Sequence, residues 1–171
     1  GKAYRSIEPL QLEYPINIAL NRIQTHFNSQ TIPKIRVKLS HNLPLVVADV
    51  EGLVEVFTKL LDNACKFTPA NREISITARI YKPKNTNISS ESDPMLEVIV
   101  ADKGRGIEPS QIEVIFDRFS QSENYLRRTV SGVGLGLVIC RQIINGMGGK
   151  IWAISKGNDR GSQFHFTIPI Q

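Results

Sequence analysis

Hydrophobic positions along the chain switch between two periods, and the switches lay out a succession of helices and strands. Ile16, Ala19, Leu20, Ile23 and Phe27 recur three and four apart, which predicts a helix from Pro15 to about Asn28 with the proline in its first turn. Ahead of it, residues 4–12 read as a short edge strand. Ile35, Val37 and Leu39 alternate with Lys34, Arg36 and Lys38, the pattern of a half-buried strand, and residues 45–48 form another beyond the turn at His41 to Pro44. Asp49 is then a candidate N-cap for a second helix, on which Leu53, Val56, Phe57, Leu60, Leu61 and Ala64 make a wide apolar stripe and which Pro69 ends. Alternation returns over residues 73–81, and the strand from Met95, bounded by Pro94, is its expected hairpin partner across a polar connection, residues 82–94, that predicts a mobile loop. Val138, Ile139, Ile143 and Ile144 mark a third helix, and strands follow over residues 149–155 and 161–170, with His165 facing away from Phe164, Phe166, Ile168 and Ile170. The sum is an α/β chain, a mixed sheet of about five main strands covered by helices on one face.

The chemistry concentrates between residues 102 and 137. Asp102 stands at the end of a strand, where its carboxylate is expected to be free, and Gly104 and Gly106 follow it at once. A polar stretch leads to a second cluster, Gly132, Gly134 and Gly136, where the third helix begins. A helix N-terminus offers unpaired N–H groups and a positive dipole end, and glycine lets an anion approach the backbone, so a nucleotide's phosphates are the simplest ligand. Neither glycine cluster is a Rossmann fingerprint: the third glycine is missing after Gly106, and no strand precedes Gly132. Gly148, Gly149 and Lys150 run into Ile151, without the Ser or Thr of a P-loop. Taken singly, each glycine pair is equally consistent with a turn or a helix cap. Asn63 lies at the border of the second helix's apolar stripe, flanked on the same side by Lys59 and Lys66; an amide oxygen there suits a hard cation and a lysine one turn on suits phosphate, although a solvated polar face has the same spacing.

Composition narrows the alternatives. At 171 residues and 41% hydrophobic, the chain is long enough for one ordinary domain with a real core. Apolar runs fall short of the roughly 20 residues of a membrane span and no signal peptide opens the chain, so a cytoplasmic domain without membrane contact is expected. A start without Met suggests a piece of something longer, whose own membrane attachment stays open. Cys65 and Cys140 both fall in predicted helices and read as reduced core residues. A net charge of +5 and a pI near 9.4 suit an anionic ligand, but the basic residues are scattered and only 7% are aromatic, which argues against nucleic acid. His26, His41 and His165 share no metal-ligand spacing.

Five motifs in order, Leu60 to Pro69 (LLDNACKFTP), Asp102-x-Gly104-x-Gly106-Ile107, Phe116-Asp117-Arg118-Phe119, Gly132-x-Gly134-Leu135-Gly136-Leu137 and Gly161-Ser162-x-Phe164, resemble the N, G1, F, G2 and closing glycine boxes of the ATP-binding domain of two-component sensor histidine kinases. The resemblance covers nearly the whole chain, residues 1–171 as a single domain. It implies the Bergerat (GHKL) two-layer α/β sandwich shared with gyrase, Hsp90 and MutL, three helices on one face, and an ATP lid over about 107–131. By the same resemblance Asp102 looks like the carboxylate that accepts from the adenine amino group, Asn63 like the magnesium ligand, Lys66 like a phosphate-contacting lysine and Phe67 like the aromatic beside the base. Gly104, Gly106, Ile107, Gly132, Gly134, Leu135, Gly136, Leu137 and Ser162 would line the nucleotide, the glycines letting the lid fold over it and offering N–H groups to phosphate. Phe116 and Phe119 would anchor the lid or simply join the core. Of Arg118, Arg127 and Arg128, in or beside the lid, a cation reaching the γ-phosphate would stabilise charge during transfer, and a solvated arginine is the ordinary role.

One position departs from the pattern. Four residues before Asn63, where the family carries a second Asn and the related ATPases a water-activating Glu, this chain has Lys59; protonated, it neither ligates magnesium nor activates water. An outward-pointing Lys59 is the preferred expectation over a phosphate contact. The resemblance implies Mg-ATP as ligand and γ-phosphoryl transfer to a histidine on a separate dimerisation domain, with a response regulator downstream. A His-Glu-x-x-x-Pro-like acceptor segment is absent from the chain. A monomer is expected for the isolated domain. The alternatives are a regulatory ATP-binding module that has lost catalysis, or a Bergerat-fold serine kinase or ATPase.

Overall fold

The computed structural model describes residues 6–28, 31–82, 93–112, 115–116, 133–157 and 159–171, with the backbone alone at 133–136. In chain order the elements are β1 (Ile7–Leu10), α1 (Glu13–Phe27), β2 (Lys34–Lys38), β3 (Val46–Asp49), α2 (Val50–Phe67), β4 (Glu73–Tyr81), β5 (Met95–Asp102), the single turn α3 (Pro109–Ile112), α4 (Val133–Gly146), β6 (Ile151–Ser155) and β7 (Ser162–Pro169). Five strands form one sheet in the order β2-β4-β5-β7-β6, parallel between β2 and β4 and antiparallel elsewhere. A parallel pair needs a long crossover, and α2 lies within the one that joins β2 to β4. β1 and β3 pair separately as a two-stranded antiparallel ribbon, so the expected edge strand is shorter than residues 4–12 and edges a sheet of its own.

Helix α2 starts where its cap was expected, with the Asp49 carboxylate accepting from the Glu51 N–H at 3.2 Å. Its whole stripe, Leu53 to Ala64, is buried, and Phe57 meets Phe166 of β7 edge to face at 5.4 Å. The helix closes through the Thr68 N–H to the Ala64 carbonyl at 3.0 Å, one residue before Pro69. It packs against α1 and α4, while the sheet supplies Ile74, Ile76, Leu96, Val98, Val100, Phe164, Phe166 and Ile168 from below. Both cysteines are buried and unpaired with each other, Cys65 on α2 and Cys140 on α4. Among the described residues no helix is long and apolar enough to cross a membrane.

The sheet's opposite face is less polar in exposure than its sequence suggests. His165 does turn away from the Phe164 side, yet it is only 5% exposed: Trp152 stacks on its ring at 5.3 Å, Glu97 meets Nδ1 at 2.8 Å and Gln163 meets Nε2 at 3.0 Å. Arg79 donates to the same Glu97 oxygen at 3.0 Å. At the other end of the strands, the registers put Ile74, Asp102 and Ser162 side by side across β4, β5 and β7.

Candidate nucleotide site

Asp102 closes β5 at the sheet's end, and its carboxylate is engaged rather than free as expected. Oδ1 accepts from the N–H groups of Gly104 at 2.9 Å and Ser162 at 3.3 Å, and the Ser162 hydroxyl donates to Oδ2 at 2.7 Å. The register explains it: Ser162 is the cross-strand partner of Asp102, so neither side chain has to reach. Burial lifts the Asp102 carboxyl above its ordinary range, and the hydrogen bonds from Ser162 and Gly104 pull against that lift. A carboxylate oxygen has room for a second donor, so Oδ2, with one bond, keeps an acceptor position on a fixed group. That suits recognition of an amino group better than a free carboxylate would, since nothing has to be ordered on binding.

The first glycine pair turns out to be about packing. A Cβ on Gly104 would come within 2.5 Å of the Phe67 carbonyl oxygen, so the last turn of α2 lies directly on the backbone that follows Asp102. Gly106 has φ +79, and a Cβ there would fall 2.1 Å from the Gly157 carbonyl oxygen. A residue absent from the sequence reading ties the same loops together: Ser155, at the end of β6, accepts from the N–H groups of Ile107 at 2.9 Å and Gly157 at 3.3 Å and donates to the Gly161 carbonyl at 2.9 Å. Its only sequence signal was a hydroxyl at a strand end, which is too common to single out. Arg105 stands over the Phe67 ring at 5.2 Å, a cation–π contact.

On α2, Asn63 is half-buried, and its Oδ1 is buried without a hydrogen-bond partner. An orphaned amide oxygen is costly unless something binds it, and a neutral hard oxygen is the donor that magnesium accepts. Among the described residues no group of three or more His, Cys, Asp or Glu could hold a metal. The residues present therefore fit an ion held by one protein oxygen and mainly by phosphate and water, the usual way magnesium is bound with a nucleotide. Lys66, expected at phosphate, is paired in this structure with Asp62 at 3.0 Å, and Asp62 also lies 3.6 Å from His26 Nε2 on α1. Lys59 is half-buried and lines the hollows along the seam between α1 and α2.

α4 begins at Val133, so Gly134, Leu135 and Gly136 occupy its first turn, as the spacing predicted. Leu137 and Phe116 are buried, Phe116 edge to face with Phe164 at 6.2 Å. The structure thus brings Phe67, Asp102, Gly104 and Ser162 together where the end of α2 meets the ends of β5 and β7, with Asn63 one turn back on α2 and Gly106 against Gly157. Arg118, Phe119, Arg127, Arg128 and Gly132, with most of the lid and loop residues 83–92, lie outside the described residues.

Comparison with known proteins agrees with this geometry. Residues 48–171 match the family described as histidine kinase-, DNA gyrase B-, and HSP90-like ATPase. The chain is 35% identical over 158 residues to the sensor protein KdpD of Clostridium acetobutylicum, covering 92% of this chain and 16% of that protein. It is 33% identical over 165 residues to the adaptive-response sensory kinase SasA of Synechocystis, covering 95% of this chain and 39% of that one. The chain therefore spans well under half the length of these relatives. Among solved structures, the catalytic domain of the histidine kinase ThkA superposes with a TM-score of 0.74 at 26% identity, covering 97% of each chain. A carboxylate fixed at the end of β5, an orphaned amide oxygen on the adjoining helix and a match over residues 48–171 make this chain a member of the histidine kinase, gyrase B and HSP90-like ATPase family.

Proposed function

We propose that the chain is the ATP-binding catalytic domain of a sensor histidine kinase, which holds Mg-ATP and transfers its γ-phosphoryl to a histidine on a separate dimerisation domain, with a response regulator downstream and a cytoplasmic location. The observation that carries this reading is Asp102, a buried carboxylate fixed by Ser162 and Gly104 with an acceptor position left on Oδ2. There it would take the adenine amino group and refuse guanine, which presents a carbonyl at that position. Phe67 would lie beside the base, and Asn63 would supply its orphaned oxygen to magnesium. An ion held there would offset charge on the phosphates. Lys66 would leave Asp62 for phosphate, an exchange of one anion for another, and the first turn of α4 would face phosphate with its N–H groups. Arg118, Arg127 and Arg128 are the proposed cations at the γ-phosphate, with Phe119 among the lid anchors and Gly132 at the lid's border. The domain's part in catalysis is positioning and electrostatics.

Calorimetric titration with a non-hydrolysable ATP analogue tests the pocket. Binding strengthened by magnesium and lost in Asp102→Asn is expected; equal affinity in the variant would overturn the adenine assignment. Lys59, a cation where a metal ligand is usual, favours a second reading, an ATP-binding module without phosphoryl transfer. Phosphorylation of a longer chain that carries the acceptor separates the two: acid-labile phosphate on the chain is expected of the kinase, and no incorporation of the module.

A further inference from the structure

Two hollows of about 440 and 370 Å³ adjoin along the seam of α1 and α2 and share Arg22, Thr58 and Lys59, so they form one continuous groove. It runs past α2 from Val50 to Lys66, about 24 Å at the helical rise. Its floor is partly apolar, with Ile18, Val50 and Val54 at one end and Ile23 at the other. Tyr14, 58% exposed, stands one turn ahead of Ile18 on the same face of α1. The rim is charged in a polar order. Glu51 and Glu55 lie toward the start of α2, and Arg22, Lys59 and Lys66 toward its end, with Asp62 the one acid among them. Arg22 and Lys59 make no hydrogen bond or ion pair among the described residues. Two unpaired cations over a partly apolar trough, facing two acids at the other end, are what a helix with opposite charge polarity would complement.

We propose that this groove docks an amphipathic helix of a partner protein, with the helix's acidic end over Arg22 and Lys59 and its basic end over Glu51 and Glu55. The groove meets the proposed nucleotide site at Lys59 and Lys66, but its test contains no nucleotide, so the failure of one reading is distinguishable from the failure of the other. Three 18-residue helical peptides share one apolar face and differ only in charge: one polarised with Glu at one end and Lys at the other, one all Glu, one all Lys. Titrated against this 171-residue chain by fluorescence anisotropy, the polarised peptide is expected to bind at least tenfold more tightly than either uniform one. In R22E/K59E, which leaves on the rim only Lys66, paired with Asp62, among its lysines and arginines, the order should invert so that the all-Lys peptide binds best. Amide shift mapping on the unmodified chain should place the polarised peptide along residues 14–26 and 50–66, a check that needs no variant to fold. Equal affinities for the three peptides, no binding by any, shifts elsewhere, or an unchanged order in a folded R22E/K59E would each overturn the proposal.

Discussion

Gly104→Ala is the sharpest test of how the pocket is built. The added methyl would stand 2.5 Å from the Phe67 carbonyl oxygen, 2.9 Å from its carbon and 3.1 Å from Asp102 Oδ1, where ordinary contact begins at 3.4 Å. Two of those three atoms are backbone, so no side-chain rotation relieves the clash. Either the last turn of α2 or the backbone beyond β5 has to move by about an ångström. Overpacking of this kind costs about 1–3 kcal/mol. In a domain of this size each kcal/mol lowers the melting temperature by about 2–4 °C, so a loss of about 5–10 °C is expected for a mid-range cost. The same displacement separates Asn63 and Phe67 from Asp102, so nucleotide affinity should fall about tenfold or more, which corresponds to about 1.4 kcal/mol. Gly146→Ala is the matched control: nothing lies within 4 Å of its Cβ, and it sits at the end of α4. That variant should bind nucleotide as the parent does and melt at the same temperature or slightly higher, because alanine loses less backbone freedom on folding. Thermal melts and nucleotide titrations on the two variants decide the matter. A Gly104→Ala protein with parental melting and affinity would refute the claim that α2 rests directly on the Asp102 turn.

Three further outcomes are expected. Because burial raises the folded Asp102 carboxyl above its unfolded value, its contribution to stability falls as pH rises from the ordinary value of 3.8 through the folded one; the stability of Asp102→Asn relative to the parent should therefore grow with pH over that window in urea unfolding, and a difference constant with pH would contradict the assignment. Glu97→Ala leaves the buried His165 ring without its 2.8 Å partner and should cost about 1–3 kcal/mol by chemical denaturation, whereas Arg79→Ala, which removes an exposed side chain and leaves the buried Glu97 still paired with His165, should cost less. Burial pushes the Cys65 thiol up to about 11 and the Cys140 thiol up to about 12, so neither should react with a thiol reagent at pH 8 until the protein unfolds, and fast labelling of the native chain would show that the helices do not cover them.

Elements were legible where one residue's neighbours along the chain decide its environment. The stripe on α2, the Asp49 cap, the Pro69 stop and the strands β4, β5 and β7 all follow from a period or a boundary residue, and they appear as predicted. The site was partly legible for the same reason: Asp102 ends a strand, Asn63 borders a stripe, and Gly134 and Gly136 open a helix. The parallel pairing of β2 with β4 and the order β5-β7-β6 were not legible, since pairing joins residues distant in sequence. Consequences of that pairing were hidden with it. The engagement of the Asp102 carboxylate depends on Ser162 being its cross-strand neighbour, 60 positions away. Burial of His165 depends on Trp152 and Glu97 arriving from strands on either side.

The glycines show the division most clearly. By itself the sequence determined that backbone at Gly104 and Gly106 must do something a side chain forbids, and that a helix begins near Gly134. Only the tertiary structure decided what: at Gly104 the approach of the Phe67 carbonyl, at Gly106 that of Gly157, with Ser155 bonding across the gap. Periodicity records which side of an element is dry. Close contacts between backbones carry no side-chain signature, because at such contacts the side chain is the part that has been removed.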